Sequence, residues 1–103
     1  MRMKPVRRRE SADRDIASAA DCYARRAGEK VALKYIDAVK RTINQISRNP
    51  EIGSPRYGDK INRTGLRQWQ VSGFANFICY IDLPGYVLII RVLEHEEIPR
   101  FVI

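Results

Sequence analysis

The side chains in this sequence that could take part in chemistry are one histidine and several arginines. His95 lies in the acidic stretch Glu94-His95-Glu96-Glu97, whereas Arg67 and Arg91 fall in segments with the pattern of strands. Cleavage of RNA by its own 2′-hydroxyl needs a base, an acid and cations around the phosphate. The three carboxylates beside His95 favour its imidazolium form and would repel an RNA phosphate. The composition of this stretch therefore argues against a nuclease, and we expect no catalytic residue.

The sequence offers no recognisable metal or cofactor site. It has a single histidine, and Cys22 and Cys79 lie far apart without the CxxC spacing of zinc or redox motifs. The carboxylates are scattered, and neither a glycine-rich phosphate loop nor a Ser/His/Asp signature is present. We therefore expect neither a metal nor a cofactor.

Charge is the first indication of function, because 19 lysines and arginines against 12 acidic residues leave a net charge of +7. Such an excess favours anionic partners, namely nucleic acid, an acidic protein or a membrane surface, without distinguishing among them. The cations concentrate at the N-terminus and in the middle of the chain: Arg2, Lys4, Arg7, Arg8 and Arg9, and then Arg56, Lys60, Arg63 and Arg67.

The length of 103 residues predicts one domain that spans residues 1–103. The longest apolar run, residues 87–90, is much shorter than the roughly 18 residues of a membrane span. The basic N-terminus leads into Glu10, Asp13 and Asp15 rather than into the apolar stretch of a signal peptide. We therefore expect a cytoplasmic protein without a membrane partner.

Two amphipathic helices are predicted in the first half of the chain. Ser11 is a suitable N-cap for the first helix, and Gly28 provides its stop. The second helix follows almost at once and ends at Asn49-Pro50. Their apolar stripes, at helical spacing, are formed by Ile16, Ala19, Ala20, Tyr23 and Ala27 and by Ala32, Ile36, Val39, Ile43 and Ile46. Because the connection is so short, the two helices should form an antiparallel hairpin.

Strands are predicted on both sides of this hairpin. Residues 4–9 contain a proline and several charges, which suits an edge strand. Residues 51–65 have no periodicity and indicate a long loop, which in a compact domain is often functional. The later strands cover residues 66–71, 77–82 and 87–93. The prediction is an α+β domain with an N-terminal edge strand, a helical hairpin and then a three-stranded antiparallel sheet.

Short motifs follow one another in a particular order along most of the chain. They are Asp15-Ile16-Ala17 and Tyr23-Ala24 in the first helix, Ala32-Leu33-Lys34-Tyr35-Ile36-Asp37-Ala38 in the second, Asn49-Pro50-Glu51-Ile52-Gly53-Ser54-Pro55-Arg56 after it, Gly65-Leu66-Arg67 and Tyr80 in the strands, and Ile90-Arg91-Val92-Leu93 with Ile98-Pro99 at the end. In their order and spacing these motifs resemble the ParE/RelE toxin superfamily, the toxins of bacterial toxin–antitoxin pairs, and especially its ParE-like branch.

The resemblance implies a growth-inhibiting toxin that a cognate antitoxin neutralises in a toxin–antitoxin hetero-oligomer. ParE-like members are associated with inhibition of DNA gyrase, whereas RelE-like members cleave messenger RNA on the ribosome. The chain departs from the commoner pattern at Glu94, where a histidine usually follows the last strand, and at Phe74-Ala75, where arginine usually follows the aromatic residue. We expect a non-catalytic inhibitor of gyrase. The alternatives are a RelE-like endoribonuclease and a toxin fold without surviving toxicity.

The antitoxin is expected to be small, acidic and partly disordered. A cationic domain with an amphipathic helix pair and open sheet edges suits an acidic segment that folds on contact. We expect its apolar anchors beside the helical hairpin and its acidic residues near the basic clusters.

The residues predicted to bind the target or the antitoxin are Arg56, Arg63, Arg67, Arg91, His95, Arg100 and Phe101. Arg67 and Arg91 have a structural alternative, because an arginine on a small sheet often pairs with a carboxylate or covers an aromatic side chain. His95 has one too, as a solvated or carboxylate-paired loop residue. Three aromatic side chains are expected to pack rather than to bind: Tyr23, Tyr35 and Trp69.

Overall fold

The computed structural model describes residues 3–55 and 65–100 and, at positions 95, 99 and 100, the backbone alone. Its elements are β1 (Val6–Arg8), α1 (Glu10–Ala27), α2 (Glu29–Arg48), β2 (Leu66–Gln70), β3 (Asn76–Leu83) and β4 (Tyr86–Glu94), with short 3-10 helices at Pro50–Ile52 and His95–Arg100. This order confirms the predicted strand, helix pair and three later strands.

The helices α1 and α2 pack against each other as the predicted hairpin. Gly28 alone separates them, with a φ of 97° that favours glycine. Its N–H donates to the carbonyl oxygen of Ala24, so this residue ends α1 as predicted. No helix in residues 3–55 and 65–100 has the length and apolar character to cross a membrane.

The prediction that Ser11 caps α1 is wrong. The helix begins one residue earlier, at Glu10, and its N-cap residue Arg9 makes no side-chain cap. Ser11 Oγ instead donates a hydrogen bond of 2.9 Å to the carbonyl oxygen of Ile90 in β4. The hydroxyl is used to attach the helix to the sheet, because this side of α1 faces the edge of β4.

The four strands form one mixed sheet in the order β1-β4-β3-β2. The strands β2, β3 and β4 pair antiparallel, as predicted, whereas β1 pairs parallel with β4 at an edge of the sheet. Parallel neighbours need a long crossover connection, and here the chain from α1 to β3 provides it. The pairing of β3 with β4 shifts between Cys79 and Tyr80, which lie opposite Arg91 and Ile89, so that Ile90 is an extra residue in β4.

The sheet has an apolar core on each face. The larger one joins the helices to the sheet and buries Tyr35, Val39, Ile46, Ile78, Tyr80 and Ile89. The smaller one contains Leu66, Cys79, Ile90 and Leu93, together with Ile98 of the second 3-10 helix. Burial raises the pKa of Cys79 to about 12, so this thiol serves as a packing group.

The predicted long loop is described only at its two ends. Pro50–Ile52 forms a 3-10 helix, and Ser54 then pairs with Gln68 through an isolated antiparallel bridge on the outer edge of β2. Residues 56–64 lie outside the described residues.

Candidate functional site

Arg91 in β4 is held by Asp15 in α1. Its Nε donates to Asp15 Oδ2 at 2.7 Å and its Nη2 to Asp15 Oδ1 at 3.0 Å, which is a bidentate pair. The hydrogen bond with Asp15 is the main reason why the pKa of Arg91 is raised. The structural role that we considered for Arg91 is therefore present, and its partner is a carboxylate 76 residues away in the sequence.

Asp15 also bonds the backbone of β4, together with Ser11 one helical turn earlier. The strand β1 pairs with β4 only at residues 87–89, so β1 does not cover the later part of that edge. There Asp15 Oδ2 accepts the N–H of Val92 at 2.9 Å, and Ser11 donates to the carbonyl oxygen of Ile90. Because residues four apart lie on the same face of a helix, α1 can satisfy the strand edge with two side chains.

Arg67 in β2 binds the backbone of the segment that follows α2. Its Nη1 donates to the carbonyl oxygens of Gly53 at 2.7 Å and Glu51 at 3.2 Å. Tyr80 in the neighbouring strand donates to the carbonyl oxygen of Pro50 at 2.7 Å and accepts the N–H of Gly53 at 2.8 Å. Two side chains of the sheet thus hold residues 50–53, which follow α2.

Glycine at position 53 is required by this arrangement. A Cβ atom on Gly53 would lie 2.5 Å from Tyr80 Oη, well inside van der Waals contact. The two residues belong to separate sequence motifs, and nothing in the sequence indicated that they touch.

The two strand arginines do not form a common phosphate site. They flank β3 on opposite sides, with Arg67 paired in register to Tyr80 and Arg91 to Cys79. Arg67 is bound to backbone carbonyls after α2, and Arg91 is bound to a carboxylate of α1. Both guanidinium groups are thus engaged by acceptors within the protein.

The acidic stretch after β4 begins the second 3-10 helix. Glu97 Oε1 accepts the N–H of Glu94 at 2.9 Å, which resembles half of a capping box. Burial, a hydrogen bond to Glu96 and repulsion from Glu96 and Glu97 raise the pKa of Glu94. These carboxylates lie on both sides of His95, as the sequence requires.

Several residues that we predicted to bind partners are not tested by the structure. Arg56, Arg63 and Phe101 lie outside the described residues, and at His95 and Arg100 only the backbone is described. Their binding roles stay predictions.

Aromatic side chains of the two helices pack against one from the turn between β2 and β3. Tyr23, Tyr35 and Phe74 form a cluster with ring centroids 5.0 to 5.2 Å apart. Burial raises the pKa of Tyr35, and Tyr23 donates from its hydroxyl to Asn76 Oδ1 at 2.8 Å. Trp69 is half-buried against the larger core, with its indole N–H 3.3 Å from Gln45 Oε1. The prediction that these rings pack is confirmed.

An apolar groove of about 250 Å³ lies between the two helices. Its apolar lining residues come three from α1 and three from α2: Ile16, Ala17 and Ala20, and Ile36, Val39 and Ile43. Arg8, Asp13 and Lys40 are its charged members. The periodic apolar positions in the sequence identified most of this surface, whereas Ala17 and Lys40 lie beside the predicted stripes. The groove can bind the apolar stripe of another helix. Its charged residues can then contact polar side chains that flank that stripe.

The described residues do not bring together groups that could hold a metal ion. No group of three or more His, Cys, Asp or Glu side chains with suitable geometry occurs within residues 3–55 and 65–100. The groove between α1 and α2 is suited to binding another protein segment.

The architecture and the sequence both match known toxins. Residues 6–99 match the family described as "ParE toxin of type II toxin-antitoxin system, parDE". Among solved structures, the chain is similar to one described as "Chromosomal ParDE TA system from P. aeruginosa", with a TM-score of 0.76 over 89% of this chain and 96% of that chain. The two sequences are 16% identical, so this likeness shows the fold alone. No curated protein matches the sequence. The family match spans β1 to the second 3-10 helix, and the chain therefore belongs to the ParE toxins of type II toxin–antitoxin systems.

Proposed function

We propose that this ParE toxin arrests growth by binding DNA gyrase stoichiometrically, without breaking a covalent bond. The observation that carries the proposal is that Arg67 and Arg91 are both held by internal acceptors. A nuclease would direct such cations at the phosphate that it cleaves. Gyrase is the proposed target because the ParE-like branch is associated with its inhibition, and this target would place the toxin in the cytoplasm.

The test of the target is a supercoiling assay with purified gyrase and purified toxin. We expect inhibition that rises with the molar ratio of toxin to gyrase and saturates near equivalence. An absence of inhibition at high molar excess would count heavily against gyrase as the target.

The alternative of a RelE-like endoribonuclease is supported by the net charge and by kinship alone. It predicts codon-linked cuts in messenger RNA after induction of the toxin, which primer extension would detect. Normal growth after induction without antitoxin would instead favour the third alternative, a toxin fold that has lost its toxicity.

We further propose that the cognate antitoxin places an amphipathic helix in the groove between α1 and α2. Six of the nine residues that line the groove are apolar, and Leu33, three residues before Ile36 on α2, leaves 56% of its surface exposed. Exposed apolar surface of this kind often marks a site of protein association. The net charge of +7 favours a partner that is acidic around its apolar stripe.

A single charge placed in the groove tests this site. Ala17→Glu would put a carboxylate against the apolar stripe of the antitoxin, so we expect the complex to weaken by roughly tenfold or more. Ala75→Glu is the matched control, because it makes the same substitution at an exposed position that does not line the groove. Co-purification and titration calorimetry with the antitoxin measure the difference. Equal affinities of both variants would place the antitoxin elsewhere.

A further inference from the structure

One side of α2 carries a row of cations that none of the contacts above uses. Lys30, Lys34, Arg41 and Arg48 lie four and seven residues apart, so the helical repeat brings them to one side of α2. All four are exposed. We call this row the α2 ridge. At about 1.5 Å per residue it extends over roughly 27 Å. Within α2, Asp37 is the carboxylate on the same side.

The last two members of the α2 ridge border a polar cleft of about 290 Å³. The cleft is lined by Arg41 and Arg48 together with Asn44, Gln45 and Ser72. Because Gln45 Oε1 faces the indole N–H of Trp69, the NH₂ of this amide is the group left to donate. Guanidinium groups donate and never accept, so the cleft offers mainly hydrogen-bond donors. Such a set suits a phosphate-like oxyanion.

The cations of the α2 ridge differ from the arginines described earlier. Arg8 is paired with Asp13 at 2.8 Å, and the strand arginines are engaged as described above. For Arg41 and Arg48, no ion pair occurs within residues 3–55 and 65–100. Asp37, four residues before Arg41 on α2, forms no ion pair with either arginine, so both guanidinium groups stay available to an external anion.

The α2 ridge is also separate from the groove proposed for the antitoxin. The groove uses Ile36, Val39 and Ile43, which the helical repeat places on a different side of α2 from Arg41 and Arg48. A helix bound in the groove would leave the α2 ridge exposed. The two surfaces can consequently serve two different partners at one time.

We propose that the α2 ridge binds the phosphate backbone of duplex DNA, with one phosphate seated in the cleft between Arg41 and Arg48. A straight row of cations on a rigid helix fits the regular charge of a duplex, which carries about one negative charge per 1.7 Å. An acidic protein segment would need apolar anchors, and the members of the α2 ridge provide none. Binding through phosphates alone is independent of base sequence. The proposal does not depend on the identity of the toxin's target.

The test is fluorescence anisotropy of a labelled mixed-sequence DNA duplex titrated with purified toxin at several salt concentrations. We expect the wild type to bind with an affinity that falls as salt rises. The variant Arg41→Ala/Arg48→Ala should bind roughly tenfold or more weakly, and the slope of log affinity against log salt should decrease by about 2. The matched control is Arg9→Ala/Arg14→Ala, which removes two exposed charges at the start of α1 that form no ion pair within residues 3–55 and 65–100, and which should keep that slope.

Four outcomes would overturn the proposal. The first is a wild type that does not bind the duplex at low salt, and the second is a ridge variant that binds DNA as the wild type does. The third is an equal loss of DNA affinity in the ridge variant and in the control. The fourth is a ridge variant that loses affinity for poly-glutamate but not for DNA. The third outcome would mean that net charge alone matters, and the fourth that the ridge serves an acidic protein. Circular dichroism melts verify that both variants are folded. Gyrase is absent from this assay, so its failure leaves the supercoiling test unaffected.

Discussion

At the residue scale, Asp15 connects the first helix to the last strand through three hydrogen bonds. Its side chain is 16% exposed and accepts bonds from the Arg91 guanidinium and from the N–H of Val92. A hydrogen bond to a charged group contributes about 1.5–3 kcal/mol to stability. The pair is therefore expected to stabilise the fold, in contrast to ion pairs at the surface.

A double-mutant cycle tests the contribution of this pair. We expect Asp15→Ala to lower the free energy of unfolding by about 2–3 kcal/mol, because both Arg91 and a strand N–H lose their acceptor. With Arg91→Ala the coupling energy should be about 1–2 kcal/mol. Urea unfolding measures both. As a control, Asp21→Ala breaks an exposed pair with Arg25 at 3.4 Å and should cost less than about 0.5 kcal/mol. A coupling energy near zero for Asp15 and Arg91 would contradict this role.

The ionised form of Glu94 should oppose folding at neutral pH. Its pKa in the folded protein is raised by burial and by Glu96 and Glu97, so the fold favours the protonated form. The resulting stabilisation is present below the unfolded pKa and is lost as the pH rises through the folded pKa.

Replacing Glu94 by glutamine should therefore stabilise the protein in a pH-dependent way. Glu94→Gln is expected to raise Tm at about pH 7 and to leave it nearly unchanged at about pH 3.5, below the ordinary glutamate pKa of about 4.3. Glu10→Gln removes the same charge from the first turn of α1, where the helix dipole stabilises it, and should lower Tm at about pH 7. Thermal melts at both pH values measure the effects. An equal gain in Tm for Glu94→Gln at both pH values would show that ionisation of Glu94 is not the cause of the gain.

At the element scale, the segment after α2 is held by side chains of β2 and β3. Arg67 and Tyr80 together make four hydrogen bonds to the backbone of Pro50, Glu51 and Gly53. This segment leads into residues 56–64, which contain Arg56 and Arg63. A partner that binds those cations would therefore bind next to backbone that the sheet holds in place.

The contact between Gly53 and Tyr80 leads to a prediction with a partial rescue. Gly53→Ala should destabilise the protein by about 1–3 kcal/mol, because the new methyl group overlaps the tyrosine ring and hydroxyl. Tyr80→Phe should cost about 1–2 kcal/mol through its two lost hydrogen bonds. The double variant should lose less than the sum, since the hydroxyl that clashes is gone. Some strain remains, because the methyl would still lie 2.8 Å from Tyr80 Cε1. Chemical denaturation of all three variants measures the coupling, and strictly additive losses would contradict the clash.

At the scale of the whole molecule, the charge is divided between two surfaces for which we propose different partners. The groove between the helices has Arg8 and Lys40 at its sides, whereas the α2 ridge lies on another side of the same helix. A net charge of +7 should accelerate the encounter with any acidic partner before short-range contacts form.

This steering predicts a salt-dependent rate of association with the cognate antitoxin. We expect the rate constant to fall at least tenfold between about 0.01 M and about 0.1 M salt, as the Debye length shortens from about 30 to about 10 Å. Arg8→Glu, beside the groove, should slow association more than Arg14→Glu, on another side of α1. Stopped-flow fluorescence measures these rates. Rates that do not change with salt or with either substitution would mean that these charges do not steer the antitoxin.

The types and order of the elements and the net charge could be read from the sequence. The helical repeats in residues 10–48, the alternation in the strands and the net charge are local or additive properties, so they could be identified without a structure. The order of motifs was sufficient to indicate the toxin family. The start of α1 was misplaced, because Ser11 looks like a cap until the edge of β4 is seen beside it.

Which groups meet depends on the tertiary structure. It paired Arg91 with Asp15, placed Gly53 against Tyr80, set β1 parallel to β4, and separated the helix groove from the α2 ridge. These contacts join residues that are distant in sequence, and the choice among possible partners depends on how the helices pack on a twisted sheet. The residue type shows which interactions a side chain can make, whereas packing determines which neighbour it makes them with.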